Sequence, residues 1–288
     1  KEYGLRPLAV HFDNGWNSEL AVSNIEKVLK KLDIDLFTYV IDWEEFSELQ
    51  VSFLKSSTPD IEIPTDHAIF ALLYDVATKH NIKYIMNGMN FRTESIMPFA
   101  WAYGHIDWKY VRSIHKKFSS IKLKNYPHFS FAKLFYYTIV KRIKYVSILN
   151  YIDFNKDEAQ KFLAEKLDWR DYGGKHHESV YTRIVQTYVL PKKFNIDKRR
   201  AHLSNLIISG QIAREAALKL LDIPPYNEDT VQDDIEYLVK KLRLSTQEFD
   251  AIMNAPNKTF KDYPNNFKIY TFAKKTQQYL RKTNIFHK

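Results

Sequence analysis

Residues 7–15, PLAVHFDNG, decide the fold class. Pro7 to Phe12 is an apolar run of strand length, and Asp13-Asn14-Gly15 is a turn-forming triplet. Ile25, Val28, Leu29 and Leu32 then recur at i, i+3, i+4 and i+7, the spacing of an amphipathic helix, with Asn17 or Ser18 as its cap. The same alternation repeats. IDLFTYVI (34–41) reads as a second strand, followed by an acidic connector. A helix over Thr65–Asn81 turns Ile69, Phe70, Leu73 and Val76 inward, and IKYIMNGM (82–89) reads as another buried strand. Strand and helix in alternation predict an α/β fold with a Rossmann-like parallel sheet, covered on both faces, with ligands beyond the carboxyl ends of the strands.

Outward from this core the pattern changes. Residues 1–106 read as the α/β nucleotide-binding core. Residues 107–288 read as a mainly helical substrate or partner region that completes the site, with Pro224-Pro225 as punctuation. The 288 residues are 45% hydrophobic and 15% aromatic, which excludes a disordered chain. No cysteine is present, so disulfides, thiolate zinc sites and cysteine nucleophiles are excluded, and a cytoplasmic location is expected. The chain starts at Lys1 without a signal-peptide pattern and reads as the middle of a protein. Its most apolar stretch, FAKLFYYTIVKRIKYVSILNY, is broken by Lys133, Lys141, Arg142 and Lys144, so no membrane span is expected.

Charge is unevenly placed. The net charge is +9, yet residues 109–152 hold ten Lys/Arg and no acid, and residues 257–288 hold eight Lys/Arg against Asp262 alone. The rest of the chain is net acidic. Such segments suit an acidic partner, or are a solvated face.

Four stretches carry candidate chemistry. His11, Phe12, Asp13 and Gly15 leave the first strand in HFDNGWNS, and Gly88, Asn90, Arg92 and Glu94 leave a later one in NGMNFRTES. Both are strand ends where α/β sheets bind nucleotides, and both are also ordinary turn sequences. WRDYGGKHHES (169–179) gathers Lys175, His176, His177 and Glu178 behind two glycines, groups that neutralise phosphate or move protons. No metal template fits them, so no metal-ligating residue is assigned. Lys198, Arg199 and Arg200 lead into a helix and suit pyrophosphate, or pair locally.

With these segments in order, the chain resembles the N-acetyl sugar amidotransferases of lipopolysaccharide and O-antigen biosynthesis, the WbpG type, in the PP-loop ATP pyrophosphatase superfamily. HFDNGWNSELAVSNIEKVLKKL, NGMNFRTES, DYGGKHHESVYTR and LPKKFNIDKRRAHLSNLIISGQIAREAAL carry the likeness, which runs from Arg6 to about Asn265. The resemblance implies an ATP- and magnesium-dependent transferase that converts the acetamido group of a nucleotide-linked sugar to acetamidino through an adenylated intermediate. It places His11, Phe12, Asp13 and Gly15 at adenine and ribose, and Gly88, Asn90 and Glu94 near phosphates or magnesium. Lys175 and Arg199 would stabilise charge, and His176 and Glu178 would transfer protons. Ammonia would come from a separate glutaminase subunit, with a companion synthase-like subunit as a second partner. The family's Ser-Gly-Gly-x-Asp-Ser loop and its N-terminal cysteines are not within the sequence. The resemblance therefore reads the chain as N-terminally truncated, poorly stable, weak in ATP binding and inactive alone.

Two other readings follow from the basic stretch. Its cations interleave with Trp108, Tyr110, Phe118, Tyr126, Phe129, Tyr136, Tyr137 and Tyr145, a mixture that suits a PP-loop tRNA-modifying enzyme of lysidine or thiolase type. Missing cysteine argues against thiolation, and aromatics at helical spacing read equally as core, so nucleic acid is not the expected partner. The same stretch suits a non-enzymatic scaffold on anionic lipid.

Overall fold

The computed structural model describes residues 3–282. Strand β1 (Leu8–Asp13) leads into helix α1 (Glu19–Leu32), which Ser18 caps by accepting the Ala21 N–H. Strand β2 (Asp35–Val40) follows and pairs parallel with β1, Leu8 opposite Asp35 and Asp13 opposite Val40. The acidic connector expected next is instead helix α2 (Trp43–Ser56). Its sequence carries Phe46, Leu49, Phe53 and Leu54 at helical spacing, and all four are fully buried. Helix α3 (Ile63–Lys79) takes Pro64 into its first turn, where the missing N–H costs nothing.

Strand β3 (Tyr84–Asn87) is followed by the single turn α4 (Phe91–Glu94), capped by Asn90, and by α5 (Trp108–Phe118), capped by Asp107. Helix α6 (Phe131–Phe135) runs on as a π turn over Tyr136–Val140, and β4 (Lys144–Ser147) pairs parallel with β3. The remainder is helical: α7 (Lys156–Leu167), α8 (Val180–Ile184), α9 (Leu190–Phe194), α10 (Lys198–Ile208), α11 (Arg214–Asp222), α12 (Glu228–Lys241), α13 (Thr246–Asn254) and α14 (Phe267–Lys282). Between α8 and α9 the chain winds as a π turn over Val185–Val189. This wider turn precedes Pro191, which cannot donate to a regular helix.

The strands do not form one sheet. β1–β2 and β3–β4 are separate parallel pairs, and no described strand joins them. Nor are both faces covered: Leu36 and Val40 on β2, and Tyr84 and Met86 on β3, alternate outward and stand exposed. Helix α1 is shallower than its pattern suggests. Ile25, Val28 and Leu29 are half-buried and Leu32 is exposed, while Asn24 is buried and exchanges two hydrogen bonds with the Arg170 backbone.

The main core draws on the whole chain, from Phe12 through Phe46, Tyr110 and Tyr181 to Phe260 and Tyr263. A second cluster holds Tyr74, Ile85, Phe129 and Tyr137 between α3, β3 and the α6 region. Thus Tyr110, Tyr126, Phe129 and Tyr137 of the basic aromatic stretch are core residues. Its loop is fixed by Glu45, whose buried carboxylate accepts the backbone N–H groups of Lys124, Asn125 and Tyr126 at 2.8–2.9 Å. His67 sits in a column of rings, 4.7 Å from Phe129 and 5.6 Å from Trp108. Burial lowers its pKa to about 4, so it is neutral.

Candidate functional site

The four sequence segments meet on one side of the core. The loop after β1 joins the histidine loop through a bridge between Asn17 and Ser179, with Ser18 N–H donating to Glu178 O and Val180 N–H to Trp16 O. The histidine loop reaches α4 through Lys175, whose Nζ lies 3.0 Å from Glu94 Oε1. It reaches α10 through His176, whose ring centre is 6.3 Å from that of His202.

The histidine loop is shaped by its glycines. A Cβ on Gly174 would stand 2.4 Å from the His177 ring, so any side chain there would displace that imidazole. His176 itself has φ 64°, a left-handed conformation that costs a non-glycine residue energy and is enriched at functional sites. Its Nδ1 lies 3.5 Å from Glu178 Oε1. Burial pushes the Glu178 carboxyl up, but the His176 hydrogen bond, its own backbone N–H and the neighbouring His176 and His177 together outweigh it, and the net shift is downward.

Helix α10 presents Lys198, His202 and Asn205 at i, i+4 and i+7, one face of the helix. Asn205 Oδ1 accepts from Ser95 Oγ at 2.8 Å and Ile96 N at 2.9 Å, which locks α10 onto the segment after α4. Lys198 forms an ion pair with Glu62 at 2.8 Å, both side chains under one-fifth exposed, and Gln186 Nε2 donates to the same carboxylate. Burial disfavours both charges. For Lys198 the carboxylates of Glu62, Asp60 and Asp66 outweigh burial and raise its pKa, while Lys198 and Gln186 lower that of Glu62.

The surrounding groups are tuned by this pair. Burial, offset in part by Lys198, raises Asp60 to about 7. Burial and then the Glu62 carboxylate raise Asp66, which nevertheless faces solvent, so water reaches the edge of this charge cluster. Burial and then the charges of Lys175, His176 and Lys198 lower His202 to about 3 and keep its imidazole neutral. Lys175 is lowered by burial, against the opposing pull of Glu94.

The other expected residues fall as follows. Asp13 Oδ1 accepts the Gly15 N–H at 3.0 Å, and Gly15, at φ 75°, packs against the Trp43 ring. Gly15 O also accepts from Lys241 of α12, whose ammonium stands over Trp16, Trp43 and Tyr237. His11 Nε2 is 3.2 Å from Asn17 Nδ2, and Phe12 is buried, stacked 6.2 Å from Tyr39. Asn90 caps α4 and its backbone N–H donates to Glu94. Gly88 lies in the loop at the carboxyl end of β3, where the buried Asn87 Nδ2 has no hydrogen-bond partner among the described residues. Arg199 is not brought into the cluster. It turns to Asp197 and donates to the carbonyls of Leu220 and Ile223, tying α10 to the end of α11.

Glu62, Asp66 and His202 complete the cluster without having been singled out in the sequence, and Lys198 was named there only as one of three consecutive cations. The acidic DIEIPTDH run entering α3 and the i, i+4 spacing of Lys198 and His202 were the available signals. Among the described residues no group of three or more metal-ligating side chains is assembled. The arrangement is two ammonium groups, each held by a carboxylate, around a neutral imidazole. It can receive a polyanion by exchanging carboxylates for phosphates. Residues 178–277 match the family model described as the LPS biosynthesis protein WbpG-like, C-terminal domain. No curated protein matches the chain. The matched segment supplies Glu178, Gln186, Lys198 and His202, while Glu62, Glu94, Lys175 and His176 precede it.

Proposed function

We propose, with the WbpG-like C-terminal domain over residues 178–277 as the premise, that this protein serves lipopolysaccharide biosynthesis as an ATP-dependent amidotransferase acting on an N-acetylated, nucleotide-linked sugar. The observation that carries the reading is the convergence of Lys175–Glu94 and Lys198–Glu62 around His202. In this reaction the acetamido oxygen attacks the α-phosphate of ATP, pyrophosphate leaves, and ammonia then displaces AMP to give the acetamidino group. Charge develops on phosphate oxygens, so positioned cations are the main catalytic resource. In our reading Lys175 and Lys198 take the phosphate charge.

His202 gains a role from the same electrostatics. Burial first and the two ammonium groups second hold down its basicity; a polyphosphate that neutralises the ammonium groups relieves the second part, which favours proton acceptance by the imidazole as ammonia attacks. His176 and Glu178 form a second proton-transfer pair at the loop. Magnesium would arrive on the nucleotide, with Glu94 among the carboxylates of the cluster that could hold it, and would neutralise the triphosphate. The unpartnered Asn87 amide and the loop through Gly88 and Asn90 fit an acceptor-rich phosphate group. Ammonia from a separate glutaminase subunit, and the parent PP-loop architecture, belong to the same proposal.

The test is incubation of the protein with ATP, magnesium, ammonium and a panel of UDP-linked diacetamido sugars, following AMP and product mass. Sugar-dependent AMP release with a product in which NH has replaced oxygen supports the assignment. AMP release stimulated by tRNA and by no sugar replaces it with RNA modification.

A further inference from the structure

The basic aromatic stretch is not used by the charged cluster, and its exposed part has its own geometry. A groove of about 580 Å³ runs between α5 and the start of α6. Lys109, Arg112 and Lys116, at i, i+3 and i+7 of α5, line one wall, and Phe131 with Ser130 lines the other. None of these three cations forms an ion pair among the described residues. Asp107, the nearest acid in sequence, is fully buried and engaged by Tyr103 and Asn266.

The groove opens beside an apolar surface. Phe131, Phe135 and Ile139 follow one another at i, i+4 and i+8, each about half exposed or more, with Val140 beside them. Tyr270 of α14 packs 5.9 Å from Phe131, which brings in a second helix whose Ile269 and Phe272 are also exposed. Lys141, just after the stripe, stands over the Tyr136 ring, residues 109–152 contain no acid, and Asp75 of α3, which reaches α6, is engaged by Lys133 and Tyr137. Aliphatic side chains such as Ile139 and Val140 cannot stack on bases or form hydrogen bonds, so nucleic acid would leave half of this face unused. An anionic bilayer meets both halves: phosphates for the cations and an acyl boundary for the apolar stripe.

We propose that the α5–α6 face, with the adjoining turn of α14, docks on the surface of an anionic membrane. Lys109, Arg112 and Lys116 contact lipid phosphates, and Phe131, Phe135 and Ile139 enter the headgroup boundary. The proposal is independent of the reaction assigned to the cluster.

The experiment is flotation of the full chain with phosphatidylcholine vesicles, with and without phosphatidylglycerol, at low and high salt. The chain is expected to float only with the anionic vesicles and to be released by salt. The K109E/R112E/K116E variant should lose partitioning on the order of a hundredfold. The F135S/I139S variant should lose about tenfold, because apolar area no longer enters the boundary. All five positions are on the surface, and an unchanged thermal melt verifies that each variant is folded. Equal flotation with neutral vesicles, or none with anionic ones, overturns the proposal. Flotation that survives F135S/I139S while tRNA binds equally well makes the face a general polyanion surface. A dimer dispersed by F135S/I139S without vesicle binding makes it a self-association surface.

Discussion

Lys198 and Glu62 hold each other in their charged states inside the protein, and the groups around them carry the consequence. Asp60 is raised to about 7 mainly by burial, whereas in an unfolded chain it ionises near 4. Between about pH 4 and pH 7 the folded state therefore keeps a proton that the unfolded state has released, and this group's contribution to stability falls as pH rises. Asp60→Asn, which can still accept the Tyr103 N–H, should match the parent near pH 4 and exceed it by about 4 kcal/mol near pH 8. Urea unfolding at both pH values measures this. At the same scale, Lys175→Ala should abolish most sugar-dependent AMP release, by about a hundredfold or more, with a normal melt. Arg199→Ala should instead lower the melting temperature with turnover per folded molecule preserved, because its guanidinium secures the α11 carbonyls. Lys198 and Arg199 are adjacent in sequence but about 100° apart around the helix. A run of three cations does not announce which one faces inward; the face shared by Lys198, His202 and Asn205 does.

Helix α2 is the element on which sequence and structure differ most. Trp43-Glu44-Glu45 and Glu48 gave its stretch an acidic character, yet Phe46, Leu49 and Phe53 drive it to the centre of the core. Burial of one face outweighed the charge of the other. Glu45 is part of the reason: its carboxylate is satisfied by three backbone N–H groups of residues 124–126, a long-range contact that no local pattern encodes. Glu45→Gln removes the charge and replaces an acceptor oxygen with a donor, so it should cost about 2 kcal/mol in urea unfolding and loosen the 122–126 loop to proteolysis. The cap of α1, by contrast, was readable. Ser18 was one of two caps named for α1, and the starts of β1, β2 and α3 fall within two residues of the sequence reading.

At the scale of the whole molecule, the alternation of strand and helix was legible while the assembly of strands was not. Periodicity reports which face of a strand is apolar, but pairing depends on which strands lie side by side. Here β1 finds β2 and β3 finds β4, and the outward residues Leu36, Val40, Tyr84 and Met86 remain exposed. Likewise, the main core mixes residues from Phe12 to Tyr263, so the helical region stabilises the loop after β1 through contacts such as Lys241 with Gly15. Lys241→Met should keep part of the packing on Trp16 and Trp43 but lose the cation over their rings, a change of about 1 kcal/mol. Trp fluorescence during denaturation provides the readout. The separation of the strand pairs has a kinetic consequence. With no hydrogen bond between them, opening one pair breaks none of the other's bonds. Deuterium should therefore enter the amides of β1–β2 and β3–β4 as two independent blocks, each with its own protection factor and its own response to denaturant.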